Sequence, residues 1–445
     1  MMKQLKPLVA SLAMLLCGAA PAAAEVDVGP TIQLTGGVWF NGEAFERATW
    51  YSVGGRLTQT RPRRVDVRVD LRGRYVIPPF AEAHNHDMQN AYLGAISAQR
   101  YLRDGVFYTA QMCAQPEQVA SFRGFVNQPN TVDVLDTAAC ISSSDGHPLG
   151  IALMMDREAG HETTAVDYHD RGYLVVDTLA DLDAKWIRIL DAPTRLIKLI
   201  LVNCEDYQVN RQRPEMYGFN GLDPALVPDI VERAHAAGFR VAVHADTAYD
   251  FRVAVEAGAD IIAHLPPYRF ASDKSADDYR IPDAVIVDAA RRGVVVVTTT
   301  AIAQTFMRRR PDAAEEIRSV QLDNLRRLLS AGVTLAIGSD LVGTGSVLDE
   351  IEYLDSLAII PRPALLRMAT ETTPRLLFPD RRIGRFAEGH EASLIVLESN
   401  PLENISAIRQ VWLRVKQGSV LGMEATAPSE PSAGAERAGG RRGRR

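Results

Sequence analysis

Eight short apolar runs rich in β-branched residues recur along the chain, near Val76, Val106, Val132, Ile197, Val241, Ile261, Val295 and Leu335. Runs of this length and continuity are what strands buried on both faces of a parallel sheet look like. The stretches between them carry helix signals. Asp223-Pro224 reads as an N-cap with proline in the first helical turn, and the segment through Ile230, Val231 and Ala234 stops at Gly238. Helix-compatible stretches likewise run from Ala248 to Gly258, from Pro282 to Gly293 and from Pro311 to Gly332, each just ahead of the next apolar run. Eight such units predict an α/β fold, a closed (β/α)8 TIM barrel. The rival, an open doubly wound sheet, would want a glycine-rich fingerprint after its first strand, and the sequence has none there.

Several runs end in residues that can bind metal. His84-Asn85-His86 follows the first; in an extended strand residues i and i+2 share a face, so the two imidazoles can grip one ion, whereas on a helix they would diverge by about 200°. Lys198 lies in the run 196–200, and His244, His264 and Asp340 close three later runs. The C-terminal rim is where a barrel enzyme keeps its chemistry. Taken singly, these residues have plainer readings: a lysine snorkelling to water, satisfied core histidines, an aspartate capping the next helix. Together, in this order, they are a specific signal for a divalent-metal site. Neutral imidazoles and carboxylates suit a borderline ion such as Zn²⁺, while an ammonium cannot ligate unmodified.

The order HxH, Lys, His, His, Asp, each at a strand end, resembles the metal-dependent amidohydrolase superfamily, in its binuclear, carboxylated-lysine form with an imidazolonepropionase/prolidase-like branch. The segment 78–86, Pro-Pro-Phe-Ala-Glu-Ala-His-Asn-His, is similar to the family's opening motif, with Pro79 where glycine is usual and Ala81-Glu82 where Ile-Asp is usual. The segment 383–397 looks like the family's return strand, with Ser393 in place of the usual aspartate. The resemblance spans roughly residues 28–420. It implies two divalent ions: His84, His86 and Asp340 on one, His244 and His264 on the other, and Lys198 between them as a carbamate formed with CO₂.

At 445 residues the chain has room for a barrel and an appended domain. Alternating segments with the turn pairs Gly36-Gly37, Asn41-Gly42 and Gly54-Gly55 read as hairpins, and the stretch after Ile383 reads the same way. The expected organisation is a signal peptide over 1–24, a small β-sandwich built from 25–74 and 381–423, the barrel over 75–380, and a disordered basic tail over 424–445. Lys3 and Lys6, the apolar stretch from Leu8 to Leu16 and Ala22-Ala23-Ala24 have the outline of a secretory signal, so the expected location is exported, periplasmic or secreted. The apolar stretch is too short to span a membrane. Removing two lysines from the 49 basic residues leaves 47 against 55 acidic, a net charge of about −8, which argues against a nucleic-acid partner. Cys113, Cys140 and Cys204 remain after cleavage, an odd number, so at least one is a free thiol or bonds another chain. The oligomeric state stays open, a homo-oligomer included.

Between Cys140 and Leu196 the chain exceeds what a barrel connection needs. Residues 178–190 read as a helix and 141–171 as a polar rim loop, of the kind that forms lids and pockets. In it, His147 resembles a glycine-histidine element that some dipeptide-cleaving members use on substrate; Tyr207 is a second candidate substrate contact. The expected function is hydrolysis of a C–N bond in a small amide or dipeptide-like substrate by metal-bound hydroxide, with Asp340 shuttling the proton. The same parts serve a lactonase, esterase or phosphotriesterase. A non-catalytic ligand-binding barrel is the alternative from a different class.

Overall fold

The computed structural model describes residues 29–89, 91–113, 116–267, 269–271, 273–343 and 345–422. The expected signal peptide and the basic tail lie outside the described residues. Two parallel sheets form the core. One has seven strands, in the order Leu174–Val175, Ala139–Ser142, Leu196–Leu201, Arg240–Ala245, Ile261–Ile262, Val295–Val297 and Thr334–Ala336; the other has Phe80–Asn85, Val106–Gln111 and Asp133–Asp136. Backbone hydrogen bonds join the two at both edges. Ala138 N donates to Leu196 O (2.6 Å) on one side; on the other, Ala83 N donates to Ile337 O (3.0 Å) and Asp340 N to His84 O (2.9 Å). The run that begins at Val132 thus divides, its first half pairing with Val106–Gln111 and its second with Leu196–Leu201. Every residue of Leu196–Leu201 is buried, Lys198 included, as a strand covered on both faces requires.

The helices follow their sequence signals. Asp223 Oδ1 accepts from Ala225 N (2.9 Å) in a short turn that leads into the helix Val227–Ala236. Ala248–Ala257 and Asp283–Arg292 end at Gly258 and Gly293, whose φ of +88° and +73° are left-handed values that cost glycine nothing. Thr178 and Asp181 form a capping box that starts Leu179–Leu190.

Two expectations need correcting. Tyr75–Ile77 is not the first core strand. It pairs with Ile32–Phe40 and Leu394–Leu397 in an eight-stranded mixed sheet that unites the two ends of the chain, with its own apolar cluster around Trp39, Val76, Val396 and Leu413. Pro78-Pro79 ends the strand, since proline cannot donate to a ladder, and the core strand begins at Phe80. It escaped notice because Glu82, His84 and Asn85 interrupt its apolar pattern although all six of its residues are buried. The second correction concerns the rim insert, which is not a plain loop: it holds the helices Leu149–Glu158 and Ala165–Tyr168.

Candidate metal centre

Strand geometry brings the six expected residues together at one end of the parallel core. His84 is on Phe80–Asn85, Lys198 on Leu196–Leu201 and His244 on Arg240–Ala245; His264 and Asp340 follow Ile261–Ile262 and Thr334–Ala336. Asp340 Oδ1 lies 3.5 Å from His84 Nε2 and 3.2 Å from His86 Nε2, and Oδ2 is 3.9 Å from His264 Nδ1. Lys198 Nζ is 3.5 Å from His84 Nε2. The rings of His84 and His264 are 4.4 Å apart, and those of His264 and His244 4.3 Å. Asp340 is a non-glycine residue at φ +54°, a conformation tolerated where the surroundings impose it.

Burial sets the electrostatics. It holds the imidazoles of His84 and His264 well below their ordinary range, helped by neighbouring cationic groups, so both are neutral. Burial also brings the Lys198 ammonium down to about 7; among the described residues no carboxylate lies within 4.0 Å of its Nζ. For Asp340 burial alone would raise the carboxyl, but His84, His86 and Lys198 outweigh it and keep the group ionised. Neutral imidazoles around an ionised carboxylate form a donor set for a divalent ion, and the ligand atoms of His84, His264 and Asp340 all lie within 4.8 Å of one another.

A further layer orients these donors. His84 Nδ1 pairs with the Ala263 carbonyl (3.0 Å), His244 Nε2 with Asp246 Oδ1 (2.8 Å) and His264 Nδ1 with Thr299 Oγ1 (2.9 Å). Glu82, fully buried and raised to about 8 by desolvation, accepts from His84 N, Ser339 N and Ser339 Oγ. Sequence reading met Glu82 only as a departure from the family's opening motif, and named neither Asp246 nor Thr299. The available signal was a polar residue inside or just after an apolar strand, where burial obliges it to find partners.

Of the two candidate substrate contacts, the structure brings one to the site. The His147 ring is 5.2 Å from that of His244, and burial lowers its pKa to about 3, so it is neutral. Asp145 builds this position by accepting from Ser143 Oγ (2.9 Å) and Asn220 Nδ2 (2.7 Å), while His147 N donates to Asn220 O (2.7 Å). Tyr207 is buried, and its hydroxyl accepts from Arg211 Nη1 (2.9 Å), whose Nε is 3.7 Å from Asp145. It therefore braces the loop of His147, and among the described contacts none joins it to the six. Cys113, just past Val106–Gln111, and Cys140, within Ala139–Ser142, form a disulfide; Cys204 is a buried free thiol.

The Amidohydrolase family model matches residues 208–421, which include His244, His264 and Asp340. Ochratoxinase from Aspergillus niger is 23% identical over 207 residues, 45% of this chain and 42% of the relative. Residues 208–421 carry an amidohydrolase-family domain. The chain's alignment with that relative spans less than half of the relative's length. Similar folds among solved structures include A. niger ochratoxinase (TM-score 0.67, 18% identity, 88% of this chain and 95% of that one) and an Xaa-Pro dipeptidase with methionine in its active site (0.67, 19%, 88% and 99%). Molinate hydrolase is a third (0.68, 17%, 91% and 97%). At these identities the likeness establishes the amidohydrolase fold alone.

Proposed function

We propose that this amidohydrolase is an exported, binuclear metal hydrolase that cleaves a C–N bond in a small amide or dipeptide-like substrate, on the prolidase-like branch of its superfamily. One observation carries the reading. Lys198, the one side chain of the six that cannot ligate unmodified, is buried beside His84 with its amine brought to about 7. A neutral amine can add CO₂, and a carbamate in that place would offer carboxylate oxygens to the metal ions. His84, His86 and Asp340 would hold one ion and His244 and His264 the other, with zinc suited to this nitrogen and oxygen donor set. When bound, the ions supply Lewis acidity and an activated water.

The chain's own groups do the rest. Asp340 takes the proton from the attacking water and delivers it to the leaving nitrogen. His147, neutral and against His244, donates a hydrogen bond to the substrate at the wall of the site. We read the core strands, each hydrogen-bonded to the next and the last to the first, as the closed (β/α)8 barrel of about 80–380. We read the mixed sheet that unites the two chain ends, Tyr75–Ile77 included, as the expected small β-sandwich domain. The leader-like residues 1–24 and the Cys113–Cys140 disulfide support a periplasmic or secreted setting.

The test is zinc-reconstituted enzyme assayed on dipeptides, N-acyl amino acids, cyclic amides and lactones, with elemental analysis alongside. Turnover of a C–N substrate by protein holding about two ions per chain is expected. Cleavage of lactones alone would make it an esterase. Bound metal with no turnover of any compound would favour the binding-barrel reading.

A further inference from the structure

Three fully buried carboxylates lie under the site, and each collects backbone amides at the strand ends. Glu350, on the helix Val347–Ser356, accepts from Thr300 N (2.8 Å) and Thr300 Oγ1 (2.7 Å) on Oε1 and from Ala301 N (2.5 Å) on Oε2. Asp250, in the first turn of Ala248–Ala257, accepts from Asn203 N, Asp246 N and Thr247 N on Oδ2, each at 3.0 Å, and from Cys204 N (2.9 Å) on Oδ1. Glu82 accepts both of its amides, from His84 and Ser339, on Oε1; its Oε2 takes only the Ser339 hydroxyl.

These amides flank strained backbone. Thr299, Asn203 and Asp340 are non-glycine residues at φ +42°, +45° and +54°. Left-handed backbone at such residues is unfavourable and persists only where surrounding bonds impose it. In each case the amide of that residue or of its neighbour is given to one of the three carboxylates. The carboxylates therefore hold the strand ends in the conformation that directs the functional side chains.

We propose that Asp250 and Glu350 are positioning residues for the ion held by His244 and His264, each acting through one intermediary. Asp250 holds the amide of Asp246, whose carboxylate meets His244 Nε2. Glu350 holds the amide of Thr300, next to Thr299, whose hydroxyl meets His264 Nδ1. Glu82 serves the other half, between His84 and Asp340. The proposal rests on the two-ion reading above.

The geometry makes the three acids respond differently to amidation. An amide side chain has one accepting oxygen and one donating nitrogen. In Glu350→Gln or Asp250→Asn, whichever way the group turns, the nitrogen faces a backbone N–H. In Glu82→Gln the oxygen keeps both backbone amides, and the nitrogen faces a hydroxyl that can accept.

The experiment is zinc titration by calorimetry, with elemental analysis, on the full-length wild type and these three variants, alongside melting of the metal-free proteins. Asp250→Asn and Glu350→Gln are expected to keep one tight ion and to bind the second at least about tenfold more weakly. Glu82→Gln is expected to stay close to wild type for both. Asp246→Ala and Thr299→Val, which remove the intermediaries without touching the buried acids, should show the same one-ion loss and decide the matter if an acid variant fails to fold. Wild-type affinity for both ions in all of these variants, or equal weakening of both ions with a lowered melting temperature, would overturn the proposal and leave two-ion binding intact. A wild type that holds one ion or none overturns the two-ion reading, and the proposal with it.

Discussion

The Lys198 amine, brought from 10.5 to about 7 by burial, makes metal-free protein sensitive to pH in a direction that can be worked out. Between about 7 and 10.5 the unfolded chain holds a proton that the folded chain has released, so stability should rise with pH across that window. Lys198→Met should flatten the rise, as denaturant unfolding at stepped pH would show; an unchanged slope would mean that the amine is already solvated. The neutral amine is also the form that adds CO₂, so ¹³C-bicarbonate should give a carbamate carbon signal in the wild type that Lys198→Met lacks. Asp340→Asn tests a different role at the same scale. It keeps the shape and one coordinating oxygen but cannot accept a proton, so kcat should fall by at least about 10²-fold with much of the metal retained. Near-normal turnover would remove Asp340 from proton transfer. The cluster of six was legible in the sequence because the histidines and Asp340 close or follow apolar runs and Lys198 lies within one, in a recognisable order. Asp250 and Glu350 were not, since a carboxylate that gathers amides from distant turns leaves no spacing to read.

Strands and helices were legible to the extent that their signal was local. Gly258 and Gly293 announced helix ends because the left-handed backbone there is a property of one residue. Phe80–Asn85 was hidden because polar residues that serve the site occupy buried positions, so the strand that carries most chemistry shows the weakest apolar pattern. The rim helix Leu149–Glu158 was hidden for the opposite reason: Ile151, Met154 and Met155 are exposed, so its apolar residues do not mark a buried stripe. Close approach between the first and last core strands can be probed at Gly338. A Cβ built there would lie 2.7 Å from Val297 Cγ1 and 2.8 Å from His84 N, and the second is backbone that cannot turn aside. Gly338→Ala should therefore push the Asp340 segment away from His84 and destabilise by about 1–3 kcal/mol. A lowered denaturation midpoint at constant m-value would show it. A variant as stable as wild type and with full metal affinity would mean that the two strands part without cost.

At the scale of the molecule, the family resemblance implied that the two chain ends form one β unit, but not how that unit attaches to the core, because the groups that make the attachment are far apart in sequence. Lys416, at the end of Val411–Lys416 in the mixed sheet, is fully buried, with Nζ 2.7 Å from Asp133 Oδ1 and 2.7 Å from the Gln128 carbonyl. Asp133 opens a core strand and takes Arg381 Nη1 on its other oxygen at 2.7 Å, while Arg381 also reaches Glu391 at 2.6 Å. One core carboxylate thus neutralises two cations from the C-terminal part of the chain. The two ends of this network are not equivalent. Asp133→Ala strands the Lys416 ammonium without a counter-ion where water cannot reach it, and removing one partner of a buried pair costs about 3–5 kcal/mol. Lys416→Met replaces the cation with an apolar side chain of similar length and leaves Asp133 paired with Arg381, so its cost should be well below that. Because the bond crosses between sheet and core, both variants should still unfold in one transition, shifted further for Asp133→Ala. Thermal melts followed by circular dichroism can rank them. Equal shifts, or an early separate transition of the mixed sheet in the wild type, would show that Asp133 does not couple the two.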